Sequence, residues 1–232
     1  MATEEAIVLV GGLGTRLRAV VSDVPKPLAP VAGRPFLAWL LDNLADNGMC
    51  HVVLAAGYLA ERVIDDIGNQ WRDMSVDYSI ESAPLGTGGA VRHACAKLRG
   101  DTAHVLNGDT FLRYDMQELE RATRHARVDL GMALASVDDV ARYGAVICEG
   151  ERVTGFREKG ECGTGYINAG CYYLMPAAIR ALPPESAFSF ETQVLAPLTA
   201  ASRVYGFAAT SGFIDIGVPE DYRRAQSLFG GA

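Results

Sequence analysis

Ile7-Val8-Leu9-Val10-Gly11-Gly12-Leu13-Gly14-Thr15-Arg16-Leu17-Arg18 is a short β-branched strand that runs without a spacer into a glycine-rich loop. Glycines placed just past a strand let backbone N–H groups close on phosphate oxygens with no Cβ in the way. Gly11, Gly12 and Gly14 are therefore candidate phosphate-binding positions. Two familiar glycine loops do not fit. The P-loop needs Lys-Ser/Thr after its last glycine, and the dinucleotide fingerprint needs a third glycine where Leu17 stands. Taken alone, the glycines would also suit a plain tight turn, and Arg16 is what turns the reading toward an anion.

Outward from this loop the pattern alternates. Strands are expected near 6–10, 51–55, 76–80 and 103–106, with helices near 35–47, 58–67, 88–98 and 115–126 between and after them. Pro35 at the start and Gly48 just past the end bracket the first helix. Alternation of this kind predicts an α/β fold, a three-layer αβα sandwich around a doubly wound, Rossmann-like sheet. The later half is less regular, with strands near 129–135, 144–148, 152–157, 171–174, 203–208 and 213–216 and helices near 176–182, 189–198 and 219–228. Antiparallel hairpins added to a parallel core account for that change, so the sheet is expected to be mixed but mainly parallel, within a single domain over 1–232. In open sheets of this type the ligand crevice lies beyond the carboxyl ends of the strands.

Composition narrows the partners. With 21 Lys and Arg against 28 Asp and Glu, the formal charge of −7 excludes a general nucleic-acid binder, which must neutralise many phosphates. Cys50, Cys95, Cys148, Cys162 and Cys171 are odd in number and lack C-x-x-C spacing, which points away from a disulfide framework or zinc site and toward a cytoplasmic setting. His51, His93, His104 and His125 share no ligand spacing and are expected in structural or surface roles. No leader and no membrane-length apolar run is expected. Pro25-Lys26-Pro27 sets a lysine between two φ-locked residues, which holds its ammonium in place, as a reacting phosphate would require.

From Val10 through Pro27, and on to Pro30-Val31-Ala32-Gly33-Arg34-Pro35, the chain resembles the sugar-nucleotide pyrophosphorylases of the nucleotidyltransferase fold, which open with a strand, G-G-x-G-T-R-L and then P-K-P. That resemblance implies a nucleotide loop formed by Val10, Gly11, Gly12, Gly14 and Thr15. It implies that Arg16 holds the β- and γ-phosphates and that Lys26 contacts the α-phosphate and the incoming sugar phosphate. Glu81-Ser82-Ala83-Pro84-Leu85-Gly86-Thr87 is similar to the base-binding segment, in which uracil- and thymine-using relatives commonly carry Gln where Glu81 stands. An ionised carboxylate only accepts, and guanine presents two adjacent donors, so guanine is the favoured base and GTP the expected nucleotide.

Asn107-Gly108-Asp109 and Phe213-Ile214-Asp215-Ile216-Gly217-Val218-Pro219-Glu220-Asp221 resemble the two metal-binding segments of the family, with Val218 in place of threonine. By that likeness Asp109 and Asp215 hold Mg2+, which takes one or two carboxylates together with substrate phosphates and water. Phe156-Arg157-Glu158-Lys159 resembles F-x-E-K, whose Glu reads sugar hydroxyls and whose Lys binds the sugar phosphate. Asn168, Gly170 and Gly144 match further sugar-facing positions. The implied reaction joins a nucleoside triphosphate to a sugar 1-phosphate and releases pyrophosphate. Within the family the compact form looks most like the guanylyltransferases of D-glycero-α-D-manno-heptose 1-phosphate that serve bacterial surface polysaccharides. Mannose 1-phosphate, or N-acetylmuramate 1-phosphate with UTP, stand as rival substrates. Relatives often self-associate, so a homodimer is consistent with the likeness. A nucleotide-sugar sensor without turnover would require damaged cationic or metal positions, and none is visible.

Overall fold

The computed structural model describes residues 2–12, 17, 24–185 and 187–231. In chain order its strands and helices are β1 (Glu5–Leu9), β2 (Pro30–Val31), β3 (Arg34–Pro35), α1 (Phe36–Asp46), β4 (His51–Ala56), α2 (Ala60–Ile67), β5 (Gln70–Trp71), β6 (Met74–Ile80), α3 (Gly86–Cys95), β7 (Ala103–Asn107), β8 (Thr110–Arg113), α4 (Met116–His125), β9 (Leu130–Val137), β10 (Val146–Glu149), β11 (Arg152–Phe156), β12 (Gly165–Leu174), α5 (Pro176–Arg180), α6 (Ala196–Ala200), β13 (Val204–Phe207), β14 (Ser211–Asp215) and α7 (Pro219–Gly230). A 3-10 turn at Lys26–Leu28 precedes β2, and a π-helical turn at Glu191–Leu195 leads into α6.

Ten strands form one mixed sheet in the order β10-β11-β13-β9-β12-β7-β1-β4-β6-β5. Its centre, β7-β1-β4-β6, is parallel and in close register, with Leu9 opposite both Ala55 and Asn107. β12 inserts antiparallel between β7 and β9, and β10 with β11 forms the antiparallel hairpin at the far edge. The three layers follow from strand alternation. Ala6, Val8, Val52, Leu54 and Ala56 face one way and pack with α1, α2, α4 and α7. Ile7, Val53, Ala55 and Val105 face the other way, onto α3, α5 and α6. Both faces are covered, so the central strands read as unbroken apolar runs.

Local chemistry sets the helix ends. Pro35 caps α1, and Gly48, with φ of 81°, turns the chain after it. Asp115 caps α4 by accepting from the Glu118 N–H at 2.8 Å. The Asn47 side chain satisfies a second orphan donor of the same helix, the Met116 N–H, at 3.1 Å.

Two expectations need correction. The strand at 213–216 was expected in the main sheet. Instead β14 leaves it and pairs antiparallel with β8, which the sequence pattern does not reveal, as a separate two-stranded ribbon. β12 begins at Gly165 and not near 171, and a bulge between Asn168 and Tyr172 interrupts its pairing with β9. The ribbon matters most, because it brings Asp215 opposite Thr110, next to Asp109.

α7 closes the apolar layer on the α1 side. Phe229 packs edge-on against Phe36 and Phe111, and at 4.8 Å from Trp39, while Tyr222 Oη and Gln226 Nε2 donate to the Pro30 carbonyl. Phe229→Ala is expected to lower the unfolding free energy by about 3–5 kcal/mol. Denaturant titration measures this, and a loss under about 1 kcal/mol would show that α7 is not part of the core.

Candidate active site

The carboxyl ends of β1, β4, β6 and β7 open on one edge, and the loops after them are sewn together by backbone bonds. Val10 N–H donates to Ala55 O at 2.9 Å, Glu81 N–H to Ala56 O at 2.8 Å, and Gly108 N–H to Leu9 O at 2.9 Å. Close approach explains two glycines. A Cβ on Gly108 would lie 2.5 Å from Leu9 O, and one on Gly11 would meet Gly57 N at 3.2 Å and Glu81 Oε1 at 3.3 Å. Val10 itself is buried, and it is Leu9, on the opposite face of the strand, that lines the crevice. Gly14, Thr15 and Arg16 lie outside the described residues.

A cavity of about 540 Å³ occupies this edge, lined by Leu9, Gly11, Gly12, Gly57, Tyr58, Glu81, Pro84, Gly86, Thr87 and Ala90 among others. Glycine backbone and alkyl groups make its walls flat and apolar, and Glu81 places a carboxylate on them. The Leu85 N–H donates to Glu81 Oε2 at 3.0 Å, which fixes the carboxylate's orientation and leaves lone pairs on both oxygens.

The support beneath this pocket is a segment that the sequence pattern did not single out. Gly88 and Gly89 N–H donate to the Phe188 carbonyl at 3.0 and 3.3 Å, and Phe188 N–H donates to Leu85 O at 2.9 Å. A Cβ on Gly88 would stand 2.2 Å from the Phe188 ring, and one on Gly86, whose φ is 68°, 2.6 Å from Phe188 O. These glycines leave room for Phe188 to pack against the start of α3. Thr87 Oγ1 donates to Glu191 Oε2 at 2.9 Å and accepts from Phe190 N–H, so its hydroxyl is tied to the same segment.

A second cavity of about 190 Å³ shares Leu9, Gly12 and Thr87 with the first and adds Lys26, Pro27, Asn107 and Asp109. Lys26, only 10% exposed, is ion-paired with Asp109 and stands 3.8 Å from Asp215 Oδ1. Gly217 N–H donates to that same oxygen at 2.7 Å, and a Cβ on Gly217 would meet it at 2.7 Å and Lys26 Nζ at 3.0 Å. Asp109 and Asp215 thus converge from β7 and β14 on one ammonium. Burial pushes the Asp215 carboxyl above its usual range and the Asp109 charge adds to the rise, while Lys26, the Gly217 N–H and, last, the Arg142 charge oppose it. Two hard oxygen donors in excess over one cation, at the mouth of a crevice, suit a divalent ion of the magnesium type.

The positions expected around a sugar are reached from here in steps. Tyr143 packs edge-on against Phe213 at 5.5 Å, and Gly144, with φ of 81°, packs on the Arg157 carbonyl, where a Cβ would stand 2.6 Å away. Glu158 and Lys159 follow on that loop and are exposed. Asn168 Nδ2 donates to Tyr172 Oη at 2.7 Å and Asn168 Oδ1 accepts from Gly170 N–H at 3.0 Å, so Asn168 holds the β12 bulge. Gly170, with φ of 69°, backs onto Asn107, whose Nδ2 lies 2.3 Å from where its Cβ would be. The four histidines hold structural or surface places, His51 bridging Glu5 and Asp77 and His104 buried against Tyr173. All five cysteines are free, and no described helix is long and apolar enough to cross a membrane.

A base-sized apolar pocket joined to a cleft in which one lysine faces two carboxylates, at the strand ends, defines a nucleotidyltransferase. The nucleotidyl transferase family profile matches residues 5–229, and the chain belongs to that family. It is 41% identical over 222 residues, 96% of either chain, to the D-glycero-alpha-D-manno-heptose 1-phosphate guanylyltransferase of Aneurinibacillus thermoaerophilus. It is 38% identical over 234 residues to the mannose-1-phosphate guanylyltransferase of Mycobacterium tuberculosis, covering 98% of this chain and 65% of that protein. Among solved structures, HddC from Yersinia pseudotuberculosis complexed with GMP-PN matches with a TM-score of 0.86 and 38% identity, over 98% of this chain and 100% of that one.

The raised Asp215 carboxyl yields a stability prediction. A group whose folded pKa lies above its unfolded value stabilises the fold below the unfolded value, and that contribution is lost as pH rises through the folded value. At neutral pH ionised Asp215 therefore weighs against the fold. Asp215→Asn should unfold at a higher temperature than the parent at pH 7 in the presence of a chelator while losing turnover. A lower unfolding temperature would contradict the electrostatic reading.

Proposed function

We propose that this protein transfers GMP from GTP to a sugar 1-phosphate, with D-glycero-α-D-manno-heptose 1-phosphate as acceptor, releasing pyrophosphate. The observation that carries the reading is Lys26 held between Asp109 and Asp215 in a cleft continuous with the Glu81 pocket. The heptose is supported by the 41% relative, and mannose 1-phosphate is the second reading because of the 38% one.

In this reading the base lies on the Gly11 and Gly57 backbone, and the Glu81 carboxylate accepts from the N1–H and the 2-amino group of guanine. An oxygen of the sugar phosphate attacks the α-phosphorus in line. The new P–O bond forms as the bond to the β-phosphate oxygen breaks, and pyrophosphate carries the electron pair away. The attacking oxygen is already anionic at neutral pH, so no general base is required, and catalysis rests on positioning and charge neutralisation. Lys26 contributes a fixed charge at the α-phosphorus, Lys159 holds the acceptor phosphate with Glu158, Gly144 and Asn168 around the sugar, and Arg16 neutralises the leaving group. Asp109 and Asp215 would hold Mg2+, which when bound supplies neutralisation of the triphosphate. A cytoplasmic location, where GTP is available, fits this reading.

A magnesium-dependent pyrophosphate-release assay across GTP, UTP, CTP, ATP and dTTP with a panel of sugar 1-phosphates tests it. GTP with the heptose phosphate is expected to give the highest kcat/KM, and turnover only with UTP would refute the base assignment. Glu81→Gln keeps an acceptor for Leu85 N–H but cannot accept twice from guanine. It should cut kcat/KM for GTP by about 10- to 100-fold and shift preference toward UTP, and an unchanged preference counts against it. Lys26→Met should cost far more in kcat than in GTP affinity, which equal losses would contradict.

A further inference from the structure

Residues 139–144 and 157–163 form one hydrogen-bonded unit. Val140 N–H donates to Gly163 O at 3.0 Å, Gly160 N–H to Ala141 O at 2.8 Å, and Arg157 N–H to Ala145 O at 2.8 Å. Asp139 Oδ1 accepts from Ala141 N–H at 3.0 Å and Gly163 N–H at 3.3 Å. Tyr143 and Gly144 N–H both return to the Val140 carbonyl, making a tight turn at the tip. This unit carries Gly144, Glu158 and Lys159. Backbone bonds hold it together, its ends run into β9, β10, β11 and β12, and Val140 is buried in the core beneath it; side chains that cross to the segment bearing Asp215 tie the two together.

Two adjacent side chains make that crossing. The Arg142 guanidinium is ion-paired with Asp221 in the first turn of α7, six residues past Asp215. Tyr143 sets its ring edge-on against Phe213, two residues before Asp215, with rings 5.5 Å apart and 80° between planes. Arg142 also lies over the Tyr143 ring at 4.4 Å, so the two act together. Asp221 is the informative partner: its side chain is only 6% exposed, and a carboxylate so buried must be paired. Arg224 reaches the other Asp221 oxygen at 3.5 Å, but it sits on α7 itself and ties nothing across. Among the described residues, the Arg142 pair is thus the charged contact that joins the 139–144 and 157–163 unit to the segment bearing Asp215.

We propose that Arg142 is a positioning residue: clipped to Asp221 and stacked on Tyr143, it sets where the acceptor sugar phosphate stands relative to the Lys26, Asp109 and Asp215 centre. The inference rests on the reading of Gly144, Glu158 and Lys159 as the acceptor side. Arg142 touches no substrate in this account. Its planar guanidinium is suited to the task because one group serves a carboxylate and an aromatic face at once, which an ammonium does less well.

Initial-rate kinetics on Arg142→Met, Arg142→Lys, Arg224→Met and Asp221→Asn, with calorimetric binding of a non-hydrolysable GTP analogue, test this. Arg142→Met should lower kcat/KM for the sugar 1-phosphate by about 10- to 100-fold, as loss of an orienting partner commonly does, mostly through KM, while GTP-analogue affinity stays within about twofold. Arg142→Lys should recover part of the loss, and Arg224→Met should behave as the parent. The Arg142→Met, Asp221→Asn double variant should be no worse than the poorer single one. A sugar kcat/KM within about twofold of the parent, or an equal weakening of nucleotide binding, would overturn the proposal. Should Arg142→Met not fold, Asp221→Asn, nearly isosteric, carries the same expectation. Absence of parent turnover on every sugar phosphate would refute the functional reading instead. Backbone hydrogen exchange then tests the clip separately: faster exchange in 139–144 and 157–163 of Arg142→Met supports it, and unchanged exchange overturns it.

Discussion

One lysine shared by two carboxylates organises this molecule. Lys26 comes from a proline-locked turn, Asp109 from the loop after β7 and Asp215 from the end of β14, three places far apart in the chain that meet in a half-buried cleft. Two like charges brought this close repel, and burial raises the cost of each, which is why the Asp215 carboxyl is pushed upward even with an ammonium beside it. Replacing such a cluster by apolar groups of similar volume is often neutral or stabilising, so an excess of negative charge here is costly to the fold and suits a site that receives cations.

Much of the surrounding fold exists to hold those three groups still. The β8–β14 ribbon sets Asp215 opposite Thr110, next to Asp109. α7 follows β14 after a single short turn, and through Tyr222 and Gln226 it grips Pro30, a few residues beyond Lys26. Gly217 has no side chain because Asp215 and Lys26 already fill the space where its Cβ would stand. At the Glu81 pocket Phe188 plays the corresponding part, locking Gly86, Gly88 and Gly89 from a hundred residues away so that Glu81 and Leu85 face the cavity in a fixed arrangement.

The first half of the fold was legible because its signals are local. Strand alternation sorts Ala6 and Val8 from Ile7, and Pro35 and Gly48 mark the two ends of α1 by their own backbone chemistry. The second half was less legible for an equally physical reason. β8 is a four-residue strand beside a stronger helical signal, and the start of β12 contains Gly165, Asn168 and Gly170, residues that disfavour strands, the latter two at the bulge. That Asp109 and Asp215 share one site could be expected only from resemblance, since nothing in spacing alone joins residues on different sheets. The Phe188 support and the Arg142–Asp221 pair were not visible at all, because each joins a loop to the first turn of a distant helix, and the partner cannot be read from either one.

In the proposed reading both carboxylates face one cation site at the reacting phosphate. Electron paramagnetic resonance of Mn2+ titrated into the protein with a non-hydrolysable GTP analogue measures this directly, with Asp109→Asn and Asp215→Asn as controls. The account predicts protein-bound Mn2+ in the parent and a large loss of affinity in each variant alone. Retention of parent-like Mn2+ binding in either variant would contradict it.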